Sequence, residues 1–234
     1  MGSIAENVAD VKSRIAAAAL GAGRRPEDVL LVAATKINSA ERVREAVAAG
    51  VDICGENRVQ EMLEKNALGA YRGVPLHFIG HLQKNKVKQV VGLAELIHSV
   101  DSTALLDVIN TAAAARGIVQ DVLLEVNVGA EASKSGFTPD GIASAIDYAG
   151  HLDAVRVRGL MAIPPICHTG EENRPYFTVL SQLFIDNGRK KYDNVNMDFL
   201  SMGMSGDYTA AITCGANMVR VGSAIFGARI YPAR

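Results

Sequence analysis

What is scarce in this sequence narrows its class before any motif is read. Three cysteines, Cys54, Cys167 and Cys214, lie far apart, and no C-x-x-C pair is present. So sparse and odd a count argues against a disulfide framework and for a reducing compartment, with a buried, inert thiol as the default. No segment approaches the ~18 consecutive apolar residues of a membrane span, and no charged stretch followed by an apolar one marks a leader. Met1-Gly2 could open a myristoylation signal, but that signal wants Ser or Thr where Glu6 stands. A formal net charge of -1 offers no handle for nucleic acid or an anionic membrane. The cluster Lys84, Lys86 and Lys88 reads as a solvated helix face. The expectation is a cytoplasmic protein.

What is present describes a folded chain with a full core: 49 % of its 234 residues are hydrophobic and 21 % charged. No linker or low-complexity run divides it, so residues 1–234 read as a single domain. Ser3 and Glu6 make a capping box, and Ile4, Val8, Val11 and Ile15 recur at helical spacing up to Gly21. The run Val29 to Lys36 follows, apolar or small until it ends on a lysine, as suits a strand buried on both faces.

From there strand and helix patterns alternate. Strands are expected at Val51 to Cys54, Leu76 to Ile79, Leu96 to Val100, Val122 to Val126, Val155 to Ile163, Met197 to Leu200 and Met218 to Val221. Between them lie helical stretches, among them one capped by Ser39, one over Gln83 to Val91, one opened by Pro139 and one over Glu172 to Arg189. Eight strands, each with a helix or helical stub after it, require parallel pairing and right-handed crossovers. The reading is an α/β TIM (β/α)8 barrel with an extra N-terminal helix. A doubly wound sheet would need a glycine-rich turn after an early strand, and Gly21-Ala-Gly23 follows a helix instead.

A TIM barrel collects its chemistry where the strands end, and phosphate commonly sits at the last two loops. The strand-end residues are Lys36, Asn57, His81, Ser102, Asn127, Ser201 to Ser205, and Arg220 with Gly222 and Ser223. A lysine beside apolar walls loses hydration, its amine becomes accessible, and it can form Schiff bases with aldehydes. The Gly- and Ser-rich last loops offer backbone N–H groups and hydroxyls to a phosphate. A ligand with both an aldehyde and a phosphate is pyridoxal 5′-phosphate. Arg220 is then the natural partner of the pyridine nitrogen, and being donor-only it would leave that nitrogen unprotonated.

The motifs LLVAATK, GENRVQE, HFIGHLQKNKVK, SVDS, GLMAIPP, LSMGMSGD and MVRVGSAIFG stand in this order, nearly end to end. In them the sequence resembles the pyridoxal phosphate homeostasis proteins. The resemblance implies a barrel like the N-terminal domain of alanine racemase, with the cofactor as a Schiff base on Lys36 and Arg220 facing the pyridine nitrogen. It implies Ser201, Ser205, Gly222 and Ser223 as phosphate holders, and Asn57 and His81 as pocket lining. Ile37-Asn38 replaces a commoner polar or basic pair, and Ser223 stands where threonine is frequent.

Other readings are weaker. His77 and His81 have an H-x-x-x-H spacing, but on a strand and turn the imidazoles need not converge, and no metal is expected. Gly203-Met-Ser-Gly-Asp207 misses G-x-S-x-G at its last position. Glu56 and Glu125 have no partner that the sequence reveals. The serious rival is a racemase or decarboxylase on the same cofactor, and two-sided proton transfer there needs an opposing acid/base, supplied in such enzymes by a second domain. A sugar-phosphate barrel enzyme is a third reading, and fold alone separates none of them. The expectation is a monomeric carrier that buffers pyridoxal phosphate for apo-enzymes with little or no turnover.

Overall fold

Eight parallel strands close on themselves in chain order, β1 pairing with both β2 and β8. The computed structural model describes residues 2–131, 134–165, 169–188 and 192–227, so Cys167 and Arg189 lie outside the described residues. The strands are β1 (Leu30–Ala34), β2 (Ile53–Glu56), β3 (Leu76–Phe78), β4 (Leu96–Val100), β5 (Gln120–Glu125), β6 (Val155–Met161), β7 (Val195–Ser201) and β8 (Met218–Val221). Around them lie α1 (Ile4–Gly21), α2 (Ala40–Ala48), α3 (Val59–Ala67), α4 (Val87–Val90), α5 (Thr103–Ala114), α6 (Ile142–Ala149), α7 (Arg174–Asn187), α8 (Tyr208–Thr213) and α9 (Ser223–Phe226). This is the barrel that the alternation requires.

Helix α1 forms as its sequence dictates. Ser3 Oγ accepts from the Glu6 N–H at 3.3 Å, and Glu6 Oε2 accepts from the Ser3 N–H at 2.7 Å. Its stripe of Ile4, Val8, Val11, Ile15 and Ala19 is buried against the barrel's outer layer.

Several expected boundaries differ. The first strand stops at Ala34, and Lys36 stands in the turn beyond it. The helix expected over Gln83 to Val91 breaks into a 3₁₀ turn (Lys84–Lys86), none of whose residues is buried, and the four-residue α4, where Val87 and Val90 enter the core. Likewise Pro139 opens a 3₁₀ turn before α6, and α7 begins only at Arg174 after the 3₁₀ turn Gly170–Asn173.

The alternation of strand side chains decides what reaches the barrel axis. Leu31 and Ala33 pack outward under the helices, whereas Leu30, Val32 and Ala34 join Ile53, Ile79, Leu96, Leu123, Met161, Phe199 and Met218 inside. By the same parity His77, His98, Glu125, Ser201 and Arg220 face the axis.

One glycine is indispensable to the closure. Gly159 has φ +140°, and a Cβ there would lie 1.9 Å from the Phe199 carbonyl oxygen, inside the β6–β7 pairing. Gly159→Ala is expected to cost ~4 kcal/mol or more, a backbone clash in the middle of a sheet. Gly23→Ala, at φ +69° but in open space, is expected to cost about 1 kcal/mol. Urea denaturation of the two variants checks this, and comparable losses would refute the steric account.

Candidate functional site

At the C-terminal mouth of the barrel, Lys36 and the loop after β8 line one cavity of about 550 Å³. Ala34, Asn38, Gly222, Ser223 and Gly227 share its wall, with the start of α1 closing one side. Lys36 is half-buried and Ile37 exposed. The turn that carries them is strained: Ile37 has φ +65°, a left-handed conformation that a β-branched residue adopts at a cost of ~1–3 kcal/mol.

The loop after β8 is fastened from three sides. Ser205 Oγ accepts from the N–H groups of Gly222 (3.1 Å) and Ala224 (3.3 Å), so these donors converge on one oxygen. Asn7 Nδ2 donates to the Ile225 carbonyl at 2.8 Å, and the Arg42 guanidinium donates to the Phe226 carbonyl. Two backbone N–H groups converging on one oxygen mark a cradle for an anionic oxygen, a place that the Ser205 hydroxyl takes here.

Deeper on the axis lies a buried polar chain. Arg220 is 4 % exposed. Its guanidinium donates to Ser201 Oγ at 2.6 Å and to the Ala162 carbonyl at 2.9 Å. Ser201 Oγ also meets His98 Nδ1 at 3.1 Å, and His98 Nε2 meets His77 Nδ1 at 2.9 Å. Burial lowers both histidines, His77 to about 4 and His98 well below the ordinary range, so the chain is neutral apart from Arg220. Burial also brings Arg220 down to about 10, against the pull of Glu125 and Asp207, which leaves it protonated at neutral pH. A guanidinium has five N–H donors, and these two bonds do not exhaust it.

The other strand-end residues take different places here. Ser201, expected with the phosphate holders, is fully buried beneath Arg220 and spends its hydroxyl on Arg220 and His98. His77 and His81 part company: His77 is buried against His98, while His81 is exposed and meets Asp101 at 3.4 Å. Ser102 and Asn127 shape their loops, Ser102 capping α5 and Asn127 donating to the Glu131 carbonyl at 2.9 Å. Cys54 is buried, its thiol pushed up to about 12 by burial and then by Glu56. No cluster among the described residues could hold a metal ion.

Asn57 ends β2 with its Oδ1 buried and without a hydrogen-bond partner among the described residues. A buried acceptor of this kind calls for a donor.

Glu125, to which sequence reasoning assigns no role, faces the axis as well. It ends β5 on the inward parity, and its carboxyl is pushed up to about 7, by burial first and then by Asp101, with Arg220 opposing. Parity with Leu123 could have found it, had the strand not been apolar on both faces.

The family model for the N-terminal domain of alanine racemase matches residues 2–230. The fold and site thus define a barrel of the alanine racemase N-terminal class. An alanine racemase of Clostridium difficile superposes with a TM-score of 0.66 at 17 % identity, over 88 % of this chain and 53 % of that one. Much nearer in sequence are the pyridoxal phosphate homeostasis proteins of Aquifex aeolicus (43 % identical, 97 % of this chain, 98 % of that one) and Pseudomonas aeruginosa (42 %, 100 % and 99 %). PipY of Synechococcus elongatus, solved with pyridoxal phosphate bound, aligns at 32 % identity with a TM-score of 0.82, over 96 % of this chain and all of that one. The chain belongs to the pyridoxal phosphate homeostasis protein family.

Glu125 generates a pH prediction. Its folded-state pKa lies above the unfolded value of 4.5, so between pH 4.5 and about 7 the folded state keeps a proton that the unfolded state has lost. Stability therefore declines through this window as pH rises and is flat above it, as far as Glu125 is concerned. Glu125→Gln is expected to melt progressively higher than the wild type from pH 4.5 to 7, with a constant difference beyond. Melting curves across pH check this, and a difference that ignores pH would remove Glu125 from the account.

Proposed function

We propose that this protein binds pyridoxal phosphate reversibly through Lys36, holding and releasing it with little or no turnover. The observation that carries the reading is that Lys36 and the Gly222–Ser223 cradle line one cavity at the mouth of a barrel whose interior holds Arg220. The named relatives and pyridoxal phosphate in PipY support it. When bound, the cofactor supplies an aldehyde that condenses reversibly with a primary amine.

The residues present fit that group. Lys36 would take the aldehyde end. Ser205, Ser223 and the N–H groups of Gly222 and Ala224 would hold the phosphate, with Asn57 and His81 along the wall. Arg220 would donate to the ring nitrogen, fixed in that role by Ser201 and the Ala162 carbonyl. Donation from a protonated guanidinium weakens the ring as an electron sink, which suits storage better than carbanion chemistry. No helix among the described residues is long and apolar enough to cross a membrane. A single chain in the cytoplasm, passing the cofactor to apo-enzymes, completes the reading.

Borohydride reduction of the purified protein, followed by peptide mapping, is the direct test. A phosphopyridoxyl mass confined to Lys36, and none in Lys36→Ala, is expected. Ser205→Ala is expected to weaken binding about tenfold through the loss of a phosphate contact. No adduct after incubation with pyridoxal phosphate would overturn the reading. Racemisation of alanine at enzymatic rates would replace the carrier by the rival enzyme.

A further inference from the structure

Behind the turn that carries Lys36 lies a buried charged cluster that the proposed chemistry does not use. Lys65 of α3 has a side chain only 8 % exposed, and its ammonium meets Glu56 Oε2 at 2.8 Å and Glu61 Oε2 at 2.9 Å. Glu56, at the end of β2, is fully buried. Its Oε2 also accepts from the Thr35 hydroxyl at 2.8 Å, and its Oε1 accepts from the Asn57 N–H at 2.8 Å.

The cluster grips the main chain on both sides of one residue. Lys65 Nζ donates to the Thr35 carbonyl at 2.8 Å. Glu61 Oε2 accepts from the Ile37 N–H at 2.7 Å. The two peptide units flanking Lys36 are thus pinned to two residues one helical turn apart on α3. One of them leads into the left-handed Ile37, a conformation that persists only where its surroundings impose it. Burying the Glu56–Lys65 pair, with Glu61 half-buried beside it, is a poor way to gain stability, since apolar replacements of similar volume often do as well or better. A cluster kept for packing alone would have no need to bond both peptides beside a single lysine.

We propose that Glu61 and Lys65 are positioning residues that hold the Lys36 turn in its left-handed form, so that the amine is presented to the pyridoxal phosphate cavity. Glu56 joins the grip to Asn57 and so sets two walls of the mouth from one carboxylate. Burial pushes the Glu61 carboxyl up, but the Ile37 N–H and the Lys65 ammonium outweigh it and hold it below the ordinary carboxylate range. The acceptor for Ile37 therefore stays charged at neutral pH. The proposal rests on the reading of Lys36 as the attachment point.

Two measurements on the full chain test it. Amide hydrogen exchange of the segment from Ala34 to Ser39 reports the grip without any ligand. Titration with pyridoxal phosphate, with borohydride trapping, reports the presentation of Lys36. Glu61→Ala is expected to speed exchange in that segment alone and to weaken binding about tenfold or more. Glu61→Gln, which keeps an acceptor oxygen for the Ile37 N–H, is expected to restore both to within about threefold of wild type. Lys65→Met should act like Glu61→Ala, and if its buried site prevents folding, the partly exposed Glu61 variants decide the matter.

Unchanged exchange in Glu61→Ala, or faster exchange with unchanged binding, would overturn the proposal. So would equal impairment in Glu61→Ala and Glu61→Gln, which would make the cluster a matter of charge alone. If the wild type itself gives no adduct on Lys36, it is the functional reading that falls and the proposal with it. The exchange pattern separates that outcome from a failure of the grip.

Discussion

The period of two along a β-strand governs this molecule. In a closed parallel barrel every second side chain must enter the axis, and the structure fills the axis in two regimes. Leu30, Val32, Ile53, Leu96, Leu123 and Met218 fill one part with apolar volume. The same parity then delivers His77, His98, Ser201, Arg220 and Glu125, and the barrel's neutral and charged groups have to satisfy one another there. They do so through bonds that cross from strand to strand, Arg220 to Ser201 to His98 to His77. Remove the Ser201 hydroxyl and Arg220 and His98 each lose a buried partner, a penalty of ~1–3 kcal/mol apiece. The cation that would face a bound ring is thus part of the barrel's own internal bonding.

That arrangement explains why the site divides into a rigid floor and a rim held by loops. Arg220 lies on a strand and is buried among fixed partners. The cradle at Gly222 to Ala224 is tied to Ser205, α1 and α2 by bonds from Ser205, Asn7 and Arg42. Lys36 stands beyond the end of its strand, where pairing with the neighbours has ceased. A floor on strands gives orientation, whereas a residue in a turn is placed by the bonds of its loop. On the proposed reading of a protein that releases what it holds, the second property would matter as much as the first.

The legible and illegible parts of the sequence follow from the same physics. Continuous apolar runs ending on polar residues announce the strands, and Lys36, Asn57 and Gly222 stand just past the ends of β1, β2 and β8. The motifs point to Arg220. What the runs hide is their parity: when Val122, Leu123 and Leu124 are all fully buried, nothing in the string marks Glu125 as inward and Leu124 as outward. The resemblance implies Ser201 at the phosphate, while its direction, on the same face as Phe199, brings it to Arg220 and His98. The stretch Gln83 to Val91 reads as a helix, but its first half buries nothing and it makes only a turn and a stub.

The cluster behind Lys36 was hidden for a different reason. Glu61 and Lys65 at i and i+4 are the commonest pattern of a solvent-exposed helical ion pair, and the sequence offers no hint that this pair is roofed over. What changes its meaning is Glu56, which comes from a strand end and brings a second carboxylate to the same ammonium. Arg58 reaches the other oxygen of Glu61 at 3.4 Å, so two cations meet two carboxylates, and the remaining acceptor capacity is taken up by neutral donors, the Thr35 hydroxyl and the N–H groups of Ile37 and Asn57. The main chain around Lys36 is therefore part of the cluster's own bonding. A turn that relaxed into an ordinary conformation would give up the Ile37 N–H bond to Glu61 and disturb the Thr35 carbonyl on Lys65, which is reason for an isoleucine to stay left-handed.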